Sequence, residues 1–154
     1  MVCVNGSGCA GAKLNHLDLP KSEHIAQIVR TFQYWFCLDY TSWVNREREM
    51  PFDQHMLLAC VAPRALLLEC YDKKWFDPKG EWLAAQAAAP VWRALGADVA
   101  FGGVQPEPYD AVAAVPPFGY VRRTEDHGLS PYDWKWALDF ADQVFKQITK
   151  GDTK

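Results

Sequence analysis

The chain has 154 residues, of which 49% are apolar and 23% are charged, and its formal net charge is −3. This length fits one domain, and the apolar share is large enough for a packed core, so disorder is not expected. A negative net charge without a basic face argues against nucleic acid as a main partner. The sequence also shows no signal peptide and no apolar run near the roughly 18 residues of a membrane span.

The cysteines predict neither a metal site nor a disulfide framework. They are Cys3, Cys9, Cys37, Cys60 and Cys70, and they form no CxxC pair and no cluster with histidine at zinc spacing. An odd number of cysteines cannot all pair within one chain. Cys60 and Cys70 lie in apolar stretches that are typical of core residues. We therefore expect no metal and no cofactor.

Hydrophobic spacing predicts strands that alternate with helices. In chain order, the predicted elements are a strand over residues 1–4, a helix capped by Ser22, a helix from Asp53 to Pro63, a strand over 65–69, a helix over 79–95, a strand over 99–104, a strand over 119–122 and a helix that starts at Pro131. Residues 105–117 contain four prolines and are expected to form an irregular surface insertion. The predicted buried stripe of the last helix consists of Trp134, Leu138, Ala141, Val144 and Phe145.

This alternation indicates an α/β fold with a mostly parallel sheet flanked by helices. We expect one partial domain over residues 1–150 and a short tail over 151–154. Because the chain opens directly on a strand, we expect it to be the C-terminal portion of a longer fold. Such a sheet would expose an unpaired strand edge, through which self-association is expected.

Two loops carry side chains suited to catalysis. Asp72 and Asp77 follow the strand over 65–69, and His127 follows the strand over 119–122. In α/β-hydrolases a nucleophile, an acid and a histidine occupy strand-end loops in that order. A histidine can take up and return a proton near neutral pH, and the acid fixes its tautomer. The sequence contains no G-x-S-x-G motif, and on spacing alone a histidine in a polar loop is more often a surface residue.

Four segments carry a more specific signal. They are residues 28–36 (IVRTFQYWF), 51–64 (PFDQHMLLACVAPR), 75–82 (WFDPKGEW) and 127–134 (HGLSPYDW). In content and order these segments resemble bacterial glucuronoyl esterases, carbohydrate esterase family fifteen. The resemblance implies the C-terminal half of an α/β-hydrolase and a secreted or periplasmic parent enzyme. It also implies hydrolysis, without a metal, of esters that join glucuronic acid on xylan to lignin alcohols.

The same resemblance assigns roles to three residues. His127 corresponds to the triad histidine, Asp72 to its acid, and Trp35 to the tryptophan that lines the glucuronate site. The alternative for Trp35 is a core aromatic residue. For the acid, Asp77 and Glu69 remain alternatives.

The position of the acid varies in the family. Some members carry a glutamate just after the first of these strands, where this chain reads Asn5-Gly6-Ser7. Others carry the acid one place after Asp72, where this chain has Lys73. A likeness of residues 8–13 to the family's serine motif places Ala10 at the serine, and we reject it because no helix is expected there.

The expected function is therefore that of a carboxylester hydrolase fragment, which by itself should be inactive for want of a positioned serine. Its expected partner is a glucuronoxylan or lignin-carbohydrate ester. Alternatives are an acetylxylan esterase, a peptidase-like α/β-hydrolase, or a non-catalytic truncated or carbohydrate-binding remnant.

Overall fold

The computed structural model describes residues 1–17, 19, 22–72, 76–99, 101–109 and 114–151, with side chains up to residue 147. The strands are β1 (Val2–Asn5), β2 (Leu66–Tyr71) and β3 (Phe118–Arg123). The α-helices are α1 (Ile25–Thr31), α2 (Leu38–Thr41), α3 (Gln54–Ala59), α4 (Pro78–Ala94) and α5 (Pro131–Gly151). None of these helices is long and apolar enough to cross a membrane. Within the predicted tail, residues 152–154 lie outside the described part.

The strands form a parallel sheet in the order β1-β2-β3, which confirms the predicted α/β architecture. All six residues of β2 are buried, as a continuous apolar run in a covered central strand requires. Leu66 and Leu68 pack on one face of the sheet against α4, whereas Leu67 packs on the other face against Phe140 of α5. The core therefore has two layers, one on each side of the sheet.

Helix α4 lies within one residue of its predicted bounds. Asp77 is its N-cap and accepts a hydrogen bond from the backbone N–H of Gly80 at 2.8 Å. Gly96 follows the helix with φ +83°, a conformation that ends helices and that glycine adopts without strain. The cap and the glycine are local signals, so the sequence located both ends of α4.

The predicted strand over 99–104 is wrong for the residues that the structure describes, which exclude residue 100. The guanidinium of Arg93 donates to the carbonyl oxygens of Val99 at 3.1 Å and Phe101 at 3.0 Å. Val99 and Phe101 are buried in the core, so their apolar character reflects packing under α4 and not pairing in the sheet.

The predicted buried stripe of α5 is wrong for three of its five residues, whereas Ala141 and Val144 are partly buried. Trp134, Leu138 and Phe145 are more than half exposed, whereas Phe140 is fully buried. The reason is a buried ion pair: Asp133, in the first turn of α5, accepts from Nε of Arg123 at 2.8 Å. This contact turns the face of Asp133 and Phe140 toward the sheet.

The helix predicted to be capped by Ser22 begins at Ile25, and His24 is its N-cap. The His24 backbone N–H donates to the side chain of Gln27 at 2.9 Å, as in a capping box. This shift places Glu23 in front of the helix instead of within its first turn.

Candidate active site

The carboxyl ends of the three parallel strands lie at the same end of the sheet, where α/β folds place their ligands. Gly6 follows β1, Asp72 follows β2, and residues 124–130 form the loop between β3 and α5. His127 lies in this last loop. Topology thus brings together the loops from which the sequence predicted catalytic side chains.

A cleft of about 390 Å³ opens at this end of the sheet. Trp35 and Phe32 line it together with His127 and Phe76. Because Trp35 and His127 line the same cleft, a small molecule could contact the indole and the imidazole at once.

Trp35 lies in a short 3₁₀ helix, Gln33–Trp35, that follows α1. Its ring stacks on Phe32 with a centroid distance of 4.1 Å and an interplanar angle of 12°, and the residue is 67% exposed. Trp35 is therefore not a core aromatic residue, and it lines the same cleft as His127. An exposed indole that is held in place by stacking on Phe32 is a suitable surface for a sugar ring, and that role remains a prediction.

His127 is exposed, and its imidazole packs at a tilt against two aromatic rings. The centroid distances are 5.8 Å to Tyr71 and 5.0 Å to Phe76. Among the described residues, none forms a hydrogen bond with the imidazole. The ring is therefore held by aromatic contacts and by the backbone of its loop.

The structure does not place Asp72 on His127. Both carboxylate oxygens of Asp72 accept from the guanidinium of Arg122, one of them at 2.8 Å. This two-point ion pair occupies the carboxylate, and no hydrogen bond or ion pair joins Asp72 to His127 in the described part of the chain. The expected contact between the two is thus absent. The assignment of Asp72 as the triad acid rests on the family resemblance alone, and the ion pair with Arg122 favours a role outside the triad.

The two alternative acids have other partners as well. Asp77 caps α4. Glu69 is 2% exposed and accepts from the side-chain amide of Asn5 at 2.7 Å. Burial raises the pKa of Glu69, because a carboxylate loses hydration there. Neither carboxyl group is hydrogen-bonded to His127 within the described residues.

The position that faces the histidine is Gly6. A β-carbon added to Gly6 would stand 3.0 Å from Nδ1 of His127. It would also clash with the ring of Tyr71, and Gly6 has φ +51°, so a side chain is excluded here on two grounds. Tyr71 therefore fills the space from which a side chain of residue 6 would have reached the imidazole. The available signal was the unusual Asn5-Gly6-Ser7 after the first strand.

Polar groups from the cleft's other wall were not singled out by the sequence. Glu23 lines the cleft, and burial raises the pKa of its carboxyl group. The buried Lys13 donates to the backbone carbonyl oxygen of Glu23 at 2.6 Å, which anchors this wall. Arg30 adds an exposed positive charge to the cleft. In the described part of the chain, no group of three or more His, Cys, Asp or Glu is arranged to hold a metal ion.

The sequence is similar to known carbohydrate esterases. The family model described as "Glucuronyl esterase, fungi" matches residues 3–96. Carbohydrate esterase MZ0003, from an unknown prokaryotic organism, is 38% identical over 139 residues, which make up 90% of this chain and 31% of that protein. The 4-O-methyl-glucuronoyl methylesterase 1 of Phanerochaete chrysosporium is 35% identical over 96 residues, or 58% of this chain and 20% of that protein.

Solved structures of carbohydrate esterases are also similar to this chain. A promiscuous CE15 esterase from a marine bacterial metagenome superposes with a TM-score of 0.84 at 37% identity, covering 92% of this chain and 35% of that one. A glucuronoyl esterase from Solibacter usitatus gives 0.81 at 35% identity, with the same coverage of 92% and 35%. The fold is thus the expected partial α/β-hydrolase. The chain spans about a third of the length of MZ0003 and of these two solved esterases.

Proposed function

This chain belongs to the glucuronoyl esterase family, and we propose that it forms the histidine-bearing and sugar-binding part of a serine carboxylester hydrolase. The proposed substrates are esters of 4-O-methyl-glucuronate, including those that join xylan to lignin. The observation that carries the proposal is the shared cleft of Trp35 and His127.

In the proposed reaction, His127 takes the proton of a serine hydroxyl as the serine attacks the ester carbonyl, and it then returns the proton to the departing alcohol. We place this serine in a segment that corresponds to the part of the relatives' length that this chain does not match. Trp35 holds the glucuronate ring by stacking.

A chimera tests the proposal directly. Residues 1–150 replace the matched segment of carbohydrate esterase MZ0003, and hydrolysis of the methyl ester of 4-O-methyl-glucuronate is followed. We expect the folded MZ0003 chimera to be active and His127→Ala to lower kcat by at least about a thousandfold. His16→Ala is the matched control, because His16 does not line the cleft, and it should keep the parent activity.

A His127→Ala chimera that kept full activity would refute the catalytic role of His127. The proposal would also fail if the chimera melted cooperatively but was inactive, while the MZ0003 parent was active in the same assay. Activity on acetylated xylan in place of the glucuronate ester would identify an acetylxylan esterase instead.

One observation favours a second candidate, a non-catalytic carbohydrate-binding protein. Within the described residues, no carboxylate is hydrogen-bonded to His127, and the sequence contains no G-x-S-x-G motif. If the cleft only binds sugar, the chain should bind glucuronoxylan fragments while the MZ0003 chimera stays inactive. Binding by the chain and catalysis by the chimera would together favour the esterase.

A further inference from the structure

A single buried guanidinium holds the loop of His127 on both sides of the histidine. Arg123, the last residue of β3, is 1% exposed. Its Nη1 donates to the carbonyl oxygen of Asp126 at 2.9 Å, and its Nη2 donates to the carbonyl oxygen of Gly128. These carbonyls belong to the residues immediately before and after His127. The path of the backbone through residue 127 is therefore set by one rigid side chain.

The guanidinium is itself fixed from the opposite side. Its Nε donates to Asp133 at 2.8 Å, and both side chains are almost fully buried. The other carboxylate oxygen of Asp133 accepts from the backbone N–H of Ser130 at 2.7 Å. Asp133 thus links Arg123 to the end of the same loop and to the first turn of α5. Nε and the two terminal nitrogens of the planar fork each have a partner, which restricts its rotation.

Tyr71 completes the support. The guanidinium carbon of Arg123 lies 4.0 Å from the centroid of the Tyr71 ring. The Tyr71 hydroxyl makes its shorter contact with Oδ1 of Asn5 and also lies 3.2 Å from the carbonyl oxygen of Gly128. The same ring contacts the imidazole of His127. Tyr71 therefore contacts both the guanidinium of Arg123, which binds the backbone of the loop, and the imidazole of His127.

We propose that Arg123 is the positioning residue of His127, and that it orients the histidine by binding the backbone carbonyls of Asp126 and Gly128. Within the described residues, no carboxylate is hydrogen-bonded to the imidazole. The proposal rests on the catalytic role proposed for His127. A lysine cannot replace Arg123, because a compact ammonium group lacks the planar fork that reaches Asp133 and both carbonyls together. Arg123 touches neither substrate nor reacting atoms and acts only through the loop.

The first test uses the 154-residue chain and needs no activity. The imidazole ¹H–¹⁵N signals of His127 are compared in wild type and Arg123→Lys. We expect one sharp set of signals in wild type and broadened or multiple sets in the variant, because the loop loses its fixed path. Arg93→Lys is the matched control, since Arg93 also binds two backbone carbonyls, those of Val99 and Phe101. It should leave the His127 signals unchanged.

The second test measures kinetics in the MZ0003 chimera. Arg123→Lys should lower kcat by about ten- to a hundredfold with KM within about twofold, as expected when a catalytic group is displaced by a fraction of an ångström to an ångström. Millimolar guanidinium should restore part of kcat to Arg123→Ala and none to Arg93→Ala. Tyr71→Phe removes only the hydroxyl and should lower kcat severalfold, which provides a test if the Arg123 variants do not fold.

The outcomes separate the two proposals. If His127→Ala leaves the chimera active, the proposed function is wrong. If His127→Ala abolishes activity while Arg123→Lys and Tyr71→Phe retain wild-type kcat and unchanged His127 signals, the positioning role is wrong. Equal losses in the Arg93 and Arg123 variants would show a general effect on stability and would also overturn it.

Discussion

The carboxylate of Asp72 is bound at two points by the guanidinium of Arg122. The sequence had predicted a different partner, His127, because both residues follow neighbouring strands. The side chains of this ion pair are 21% and 22% exposed, so water screens it in part. The pair gives a simple reason for the position of Asp72 that needs no catalytic role.

The first prediction follows from this pair. Replacing a triad carboxylate by its amide lowers kcat by about 10⁴, because the histidine adopts the wrong tautomer. We expect Asp72→Asn in the MZ0003 chimera to lower kcat by less than about tenfold, since the carboxylate faces Arg122. The free energy of unfolding should fall by less than about 1 kcal/mol, as for a partly exposed ion pair. A loss of a thousandfold in kcat would instead establish Asp72 as the acid.

The second prediction concerns sugar binding by Trp35. Loss of an exposed stacking surface should weaken binding of glucuronoxylan fragments by about 1 kcal/mol, or roughly fivefold, in Trp35→Ala. Calorimetric titration of the 154-residue chain measures this. Trp134→Ala is the matched control, because Trp134 is also about half exposed but does not line the cleft. Equal affinity in wild type and Trp35→Ala would leave Trp35 without a binding role.

The third prediction concerns the nucleophile. The 154 residues contain no serine in a G-x-S-x-G motif, so the chain by itself should hydrolyse glucuronate esters no faster than background. It should also resist labelling by a fluorophosphonate, which reacts with activated serines. MZ0003 serves as the positive control for both assays. Stoichiometric labelling of one serine in this chain would overturn the prediction.

The fourth prediction concerns stability and pH. Glu81 is 1% exposed, and burial raises the pKa of its carboxyl group from the ordinary 4.5 to about 7. The folded state therefore binds this proton more tightly than the unfolded state. Its contribution to stability is present below pH 4.5 and is lost as the pH rises to about 7. Full ionisation of the buried group should cost on the order of 3 kcal/mol.

Urea unfolding at pH 5 and pH 8 tests this contribution. In wild type, Glu81 accepts a hydrogen bond from the Gly8 N–H at 3.1 Å. The glutamine of Glu81→Gln keeps an oxygen that can accept this bond, but its side chain cannot ionise. Its loss of stability between the two pH values should be smaller than that of wild type by about 2–3 kcal/mol. The exposed Glu49→Gln should behave like wild type. Glu23 and Glu69 also have raised pKa values, so the variant should retain some pH dependence. An identical pH dependence in wild type and Glu81→Gln would contradict the prediction.

The fifth prediction concerns the sheet edge. β1 pairs only with β2 in the described sheet, and Cys3 in its middle is exposed. An unpaired edge can add a strand from another molecule, so we expect concentration-dependent sedimentation of the chain under reducing conditions. Cys3→Lys should increase the monomer fraction, because a charge on an edge strand opposes pairing. Cys37→Lys, at an exposed cysteine outside the sheet, should not. A compact monomer at all concentrations would count against edge pairing.

Local signals allowed much of the fold to be predicted from the sequence. The buried run of β2 and the two ends of α4 depend on residues within a few positions, and their predicted bounds lie within two residues of the observed ones. The position of His127 in a strand-end loop followed from the alternation of strands and helices. The family motifs then predicted that Trp35 would face the same cleft.

Only the tertiary structure decided which charged groups meet. Arg122 and Arg123 are adjacent, and successive side chains of a strand point to opposite faces of the sheet. One therefore binds Asp72, and the other binds Asp133 and the loop of His127. The sequence shows two arginines in a row but not the register of β3, on which their directions depend. For the same reason it could not show which face of α5 is buried, or that Gly6 and Tyr71 occupy the space beside the histidine.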